Sequence, residues 1–142
     1  MEEHLSHRRL LLAGGALLVL LGLLSGLAVG AMINPRMGLS AHLEGVINGI
    51  LLIALGCGWK RLALNRRWRF AALILLLYGT YANWLTTQLS ALWGTGRLTP
   101  LAAPGRAGTG LQEMVVEFGL VSLSLAMIAA FAILTVGFWR GR

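Results

Sequence analysis

His42, Glu44 and Asn48 stand close together in the stretch N-P-R-M-G-L-S-A-H-L-E-G-V-I-N-G, residues 34–49, whose other members past the first turn are apolar residues, glycines and one serine. A histidine, a carboxylate and an amide inside a bilayer are expensive, so such residues mark a site or an internal polar contact. The imidazole of His42 can ligate haem iron, move a proton or tie two helices together by a hydrogen bond. Spacing alone leaves these three roles open. No second histidine lies in an apolar run, which argues against a two-histidine electron-transfer haem within one chain and leaves room for a haem with one open face. His4 and His7 fall in the N-terminal tail, where a solvated role is expected rather than a metal site.

Two further groups of polar residues interrupt apolar sequence. Tyr78, Thr80, Tyr81, Asn83, Thr86, Thr87 and Gln88 form one, and Glu113 with Glu117 the other. Carboxylates at a helix start complement its dipole, which accounts for Glu113 well and for Glu117 and Glu44 less well. As functional groups the carboxylates are candidate proton donors or partners of the histidine. Glu44 and Asn48, four apart, share a helix face, and Thr80, Asn83 and Thr87 line another. His42 shares its face with Gly45 and Gly49, about 120° away from Asn48 at 3.6 residues per turn. His42 and Asn48 would therefore reach a common ligand from different directions, or from different subunits.

These residues need elements to position them. Of the 142 residues 57% are hydrophobic and 12% charged. A soluble domain averages about 45–50% apolar and about 25% charged, so the chain reads as an all-α integral membrane protein of one domain. Four stretches, about 10–33, 39–59, 70–94 and 112–139, are long enough to cross the roughly 30 Å hydrocarbon core as helices. The alternation of a membrane β-strand is absent. The first run is longer than a signal-peptide core of about 7–15 residues and has no small-x-small cleavage site before a polar chain, so it is expected to be retained. The single cysteine, Cys57, lies in an apolar run and is expected to be a packing residue.

Net charge is +7, but the basic residues sit between apolar runs, so they speak for orientation in a membrane and not for nucleic acid. With both termini cytoplasmic, Arg8, Arg9, Lys60, Arg61, Arg66, Arg67, Arg69, Arg140 and Arg142 share one side against Arg36, Arg97 and Arg106 on the other. A bacterial inner membrane and a multi-pass four-helix bundle are the expected setting. Residues 34–38 read as a tight turn, because proline cannot continue a helical ladder. Residues 95–110 form an irregular loop that reads equally as a connector or as a lid at the rim of a site. Gly22, Gly26 and Gly30, and Gly45 with Gly49, are spaced for close helix packing; a flat face for a planar ligand is the alternative. Asn48 lies roughly 14 Å and Asn83 roughly 16 Å below the same membrane face at 1.5 Å per residue. The polar residues thus gather in one half of the bilayer.

The His42 to Asn48-Gly49 motif, followed by Y-G-T-Y-A-N-W at residues 78–84, resembles the hydroxylaminobenzene mutases and, more distantly, the styrene oxide isomerases. The likeness spans the whole membrane portion. It implies a homotrimer with haem b between neighbouring subunits, His42 as axial ligand of the iron, and Gly45 and Gly49 beside the porphyrin. Ferric iron would act as a Lewis acid without net redox chemistry. Asn48 would be the substrate-side amide, and Asn83 matches an asparagine of the third helix. Styrene oxide isomerases place a tyrosine further along that helix; counting from the histidine puts Thr87 there, with Tyr78 and Tyr81 one to three turns earlier. This departure favours the mutase branch, which turns an arylhydroxylamine into a 2-aminophenol.

That chemistry suits the residues. Cleaving an N–O bond calls for a Lewis acid or a proton, and Glu44 is the leading candidate for the proton. Asn48, Asn83, Tyr81 and Thr87 are the remaining candidates around a small aromatic substrate, which would partition into lipid. A site away from bulk water would protect an electron-poor nitrogen intermediate. The competing readings are an aryl epoxide isomerase, a non-catalytic haem-binding membrane subunit, and a bundle with no cofactor.

Overall fold

The computed structural model describes residues 2–141, with side chains from Leu5 onward. Four long helices make up the architecture: α1 (Glu2–Ala28), α2 (Pro35–Gly58), α3 (Arg66–Trp93) and α4 (Gly110–Arg140). One-turn 3-10 segments, Val29–Ala31 and Trp59–Arg61, follow α1 and α2. All four helices are long and apolar enough to cross a membrane. They pack in chain order, α1 on α2, α2 on α3 and α3 on α4, with a lesser contact between α1 and α3.

Each boundary has a local cause. Asn34 caps α2 by accepting from the Arg36 and Met37 amides at 3.2 and 3.3 Å. Pro35 takes the first helical position, where its missing N–H is no loss. The expected turn at 34–38 is thus corrected: proline opens the helix there. The Asn65 side chain caps α3 through the Trp68 amide. Gly94, at φ +68°, ends α3 in the left-handed conformation that glycine adopts without a Cβ clash. Thr109 and Gln112 form a reciprocal capping box at the start of α4.

Leu11, Leu18, Leu52, Trp59, Leu73 and Leu134 fill a core shared by all four helices towards the basic end. Helix α1 runs further towards the N-terminus than its apolar run suggests, and this carries His7 inside. His7 is 6% exposed and meets the Trp59 ring edge-on at 6.3 Å, which corrects the expectation of a solvated tail. The His4 side chain lies outside the described residues. Cys57 is exposed on the outer surface of α2, not packed in the core.

The loop between α3 and α4 is fastened at both sides. Buried Glu113 accepts from the Gly96 and Gly108 amides through one oxygen and from the Arg97 amide through the other, at 2.8–3.1 Å. Asn34 and Arg36 donate from the start of α2 to the Ala102 and Leu101 carbonyls. Arg97 pairs with Glu117 at 3.2 Å. Glu113 and Glu117 therefore hold the connector, and the loop is built as a clamp between α2 and α4.

Candidate functional site

Helix α2 carries the candidate residues on two edges. Leu39, Leu43, Ile47 and Ile50 form a stripe that the chain leaves exposed. At 100° per residue, His42 and Glu44 fall about 100° to either side of Leu43. His42 turns towards α1, and Glu44 towards α3.

On the α3 edge, two amides converge on one carboxyl oxygen. Asn48 donates from Nδ2 to Glu44 Oε2 at 3.2 Å, along the helix. Asn83 donates from Nδ2 to the same oxygen, across from α3. Asn48 is buried, and Glu44 and Asn83 are half-buried. The i, i+4 spacing in α2 supplies one partner and helix packing supplies the other. Among the described residues no group bonds the Oδ1 atom of either asparagine. Neither Oδ1 is sealed from the surface.

On the α1 edge, His42 Nδ1 lies 2.9 Å from the Gly22 carbonyl. A carbonyl only accepts, so Nδ1 carries a proton, and in the neutral ring this tautomer leaves the Nε2 lone pair free. Among the described residues nothing bonds Nε2. A metal-ligating histidine characteristically donates its other ring N–H to a carbonyl or carboxylate, so this histidine fits a haem iron ligand. Gly26 makes the pose possible, since a Cβ there would come within 2.7 Å of Nδ1.

Gly45 and Gly49 serve the close helix packing that their spacing predicts, not the alternative of a flat face for a planar ligand. A Cβ on Gly49 would stand 2.6 Å from the Gly15 carbonyl oxygen, and one on Gly45 would strike Gly22. Helix α1 occupies both positions, so the flat face expected for a porphyrin at these two glycines is closed within the chain. They let α1 approach closely enough for the Gly22 carbonyl to reach His42.

Tyr81 and Thr87 do not join the cluster. The Tyr81 hydroxyl donates to the Gly14 carbonyl of α1 at 2.7 Å. Thr87 is buried and donates back to the Asn83 and Trp84 carbonyls of its own helix. The structure thus unites Glu44, Asn48 and Asn83, sets His42 apart from them, and commits Tyr81 and Thr87 to the scaffold.

Sequence reasoning passed over Ser25 and Trp84, and it gave Gly22 and Gly26 a packing role without linking them to His42. The Trp84 indole donates to Ser25 at 3.0 Å and lies against Gly45, bridging α3 to α1. The small-residue series of α1 signalled close packing, and the one histidine of the next apolar run signalled an imidazole. Only the pairing of α1 with α2 connects the two. A hollow of about 540 Å³ beside Leu5, Arg9 and Leu10 lies at the opposite end of α1, away from all of these residues.

Comparison with known proteins finds one family and two named relatives. A model of the styrene oxide isomerase family matches residues 7–139. Hydroxylaminobenzene mutase HabB of Ectopseudomonas oleovorans is 53% identical over 127 residues, covering 89% of this chain and 77% of its own. Hydroxylaminobenzene mutase HabA of the same organism is 52% identical over 131 residues, covering 92% of this chain and 97% of its own. No solved structure matches the chain.

Proposed function

The chain belongs to the styrene oxide isomerase family and is an isomerase, and on that premise we propose that it converts hydroxylaminobenzene-type arylhydroxylamines to 2-aminophenols. The observation that carries this reading is the convergence of Asn48 and Asn83 from two helices on the α3 edge of α2, whose α1 edge carries a histidine with an unbonded outer nitrogen. The names of two relatives, each more than half identical over most of the chain, support the substrate class. The Thr87 hydroxyl, spent on its own helix, weighs against a tyrosine-like role towards an epoxide.

The reaction is an isomerisation. The N–O bond breaks, a C–O bond forms at the ortho carbon, that carbon loses its proton, and nitrogen gains one. No external reductant is consumed. His42 Nε2 is the atom that would hold haem b. When bound, ferric haem supplies Lewis acidity for a substrate oxygen. The Gly22 carbonyl fixes the imidazole in the tautomer that a ligand needs. Asn48 and Asn83 bind and orient the hydroxylamine group, which keeps the hydroxyl near the ortho carbon. The apolar walls of α2 and α3 keep bulk water from an electron-poor nitrogen.

His42 and the amide pair flank opposite sides of the exposed stripe of α2. A site using both is completed by a second copy, with the stripe at the interface; a homotrimer is the assembly proposed. A bacterial inner membrane is the proposed location.

The test is turnover of hydroxylaminobenzene by detergent-purified protein without added reductant. Expected is 2-aminophenol as product. In Asn48→Ala the rate should fall on the order of 100-fold, as for loss of one positioned hydrogen-bonding group at a reacting centre, with the haem spectrum retained. An unchanged rate would remove Asn48 from the mechanism.

A further inference from the structure

We propose that Glu44 is a positioning residue that fixes the orientation of the Asn48 and Asn83 amides, so that the site offers two hydrogen-bond acceptors and selects substrates that carry N–H and O–H donors.

An asparagine side chain has a donor end and an acceptor end of nearly equal size, and its surroundings decide which way it points. Here one atom decides for both. Glu44 Oε2 accepts from Nδ2 of Asn48 and from Nδ2 of Asn83. An ionised carboxylate has no proton to give, so a flipped amide would set oxygen against oxygen. A carboxylic acid with its proton on Oε1 leaves the Oε2 contacts the same. With both NH₂ groups turned inward to Glu44, both Oδ1 atoms are left unbonded and reachable. The pair presents carbonyls.

The polarity of the pair sets what it can recognise. An arylhydroxylamine brings an N–H and an O–H, one donor for each carbonyl. An epoxide brings one ether-like oxygen and no donor. A site built to hydrogen-bond a substrate N–H or O–H discriminates against an analogue lacking it, because its own polar groups are then left unpaired. Glu44 acts through the asparagines and touches no reacting atom. This inference rests on the arylhydroxylamine reading above and gives it a structural basis for choosing between the two substrate classes.

Glu44→Gln and Glu44→Leu separate the roles open to this residue. Glutamine keeps a carbonyl oxygen where Oε2 stands and has no acidic proton. Leucine keeps bulk and removes the acceptor. Both variants are compared with the wild type on hydroxylaminobenzene and on styrene oxide, with the Soret band and monodisperse elution reporting intact assembly. Glu44→Gln should retain hydroxylamine turnover to within about threefold, since a neutral acceptor holds the amides nearly as well. Glu44→Leu should lose about 100-fold, and its preference for hydroxylamine over epoxide should shrink by a similar factor. If Glu44→Gln is as inactive as Glu44→Leu while the wild type is active, the carboxyl proton is itself used and the inference is overturned. If Glu44→Leu keeps the wild-type rate and preference, it is overturned as well. A wild-type protein that turns over styrene oxide but not the hydroxylamine overturns the inference together with the reading beneath it. Should Glu44→Leu fail to assemble, the isosteric Glu44→Gln alone decides between proton donor and positioning residue.

Discussion

The two edges of α2 reach functional geometry by opposite means. On the α1 edge the sequence removes side chains: Gly15 and Gly22 on one helix meet Gly45 and Gly49 on the other, and the backbones close until a carbonyl touches an imidazole. On the α3 edge the sequence adds polar side chains, and Glu44, Asn48 and Asn83 satisfy one another across the helix pair. The first edge is held by shape and the second by hydrogen bonds. The α1 edge should therefore fail through sterics and lose its ligand, whereas the α3 edge should fail through chemistry and lose turnover. Loss of the proposed haem, and loss of rate with that haem retained, are the two signatures to look for.

His42→Ala puts that contrast to its hardest trial. Removing the one free imidazole nitrogen on this edge should abolish the Soret band and, with it, turnover. A full Soret band in this variant would place the ligand elsewhere and leave His42 as a helix-to-helix contact. A smaller effect is expected when the ligand stays and its seat changes. Gly26→Val puts a branched side chain where a Cβ already comes within 2.7 Å of His42 Nδ1. The ring must turn away from the Gly22 carbonyl, and haem affinity should drop about 10- to 100-fold, as when the outer partner of a ligating histidine is lost. Haem titration into the apo-protein measures it. Affinity like that of the wild type would mean that the Gly22 contact does not orient the ligand.

The edges also differ in how far they could be read from sequence. The α3 edge was largely legible, since i, i+4 spacing joins Glu44 to Asn48 and the depth of Asn83 matches that of Asn48. The α1 edge was not. Glycine spacing announces a close approach without saying what approaches, and both Gly45 and Gly49 proved to receive α1, not an open face for a ligand. The four helices followed from hydropathy, but their starts did not. Asn34 with Pro35 reads as a turn until the asparagine is seen to cap, and His7 reads as a tail residue until α1 is seen to carry it against Trp59. Tyr81 and Thr87 share the depth and helix of Asn83, and depth cannot tell a hydroxyl that faces a site from one that faces a backbone carbonyl.

Tyr81 offers the smallest and sharpest comparison between the edges, because it sits two residues from Asn83 and yet belongs to the scaffold. Its hydroxyl bonds the Gly14 carbonyl, an atom already within the hydrogen-bonded ladder of α1. Removing the hydroxyl therefore leaves no orphaned group on α1. Tyr81→Phe should cost about 0.6 kcal/mol, the average of side-chain hydrogen bonds between membrane helices, seen as a slightly lower thermal midpoint in detergent. Turnover should stay within about threefold of the wild type, far from the loss expected for Asn48→Ala, since no neighbour of the cluster loses a partner. A loss as large as that of Asn48→Ala, at unchanged stability, would return Tyr81 to the substrate site and would require its hydroxyl to leave Gly14 during the reaction. The contrast between the asparagine and the tyrosine then measures where the polar edge of α2 ends and the packing edge begins.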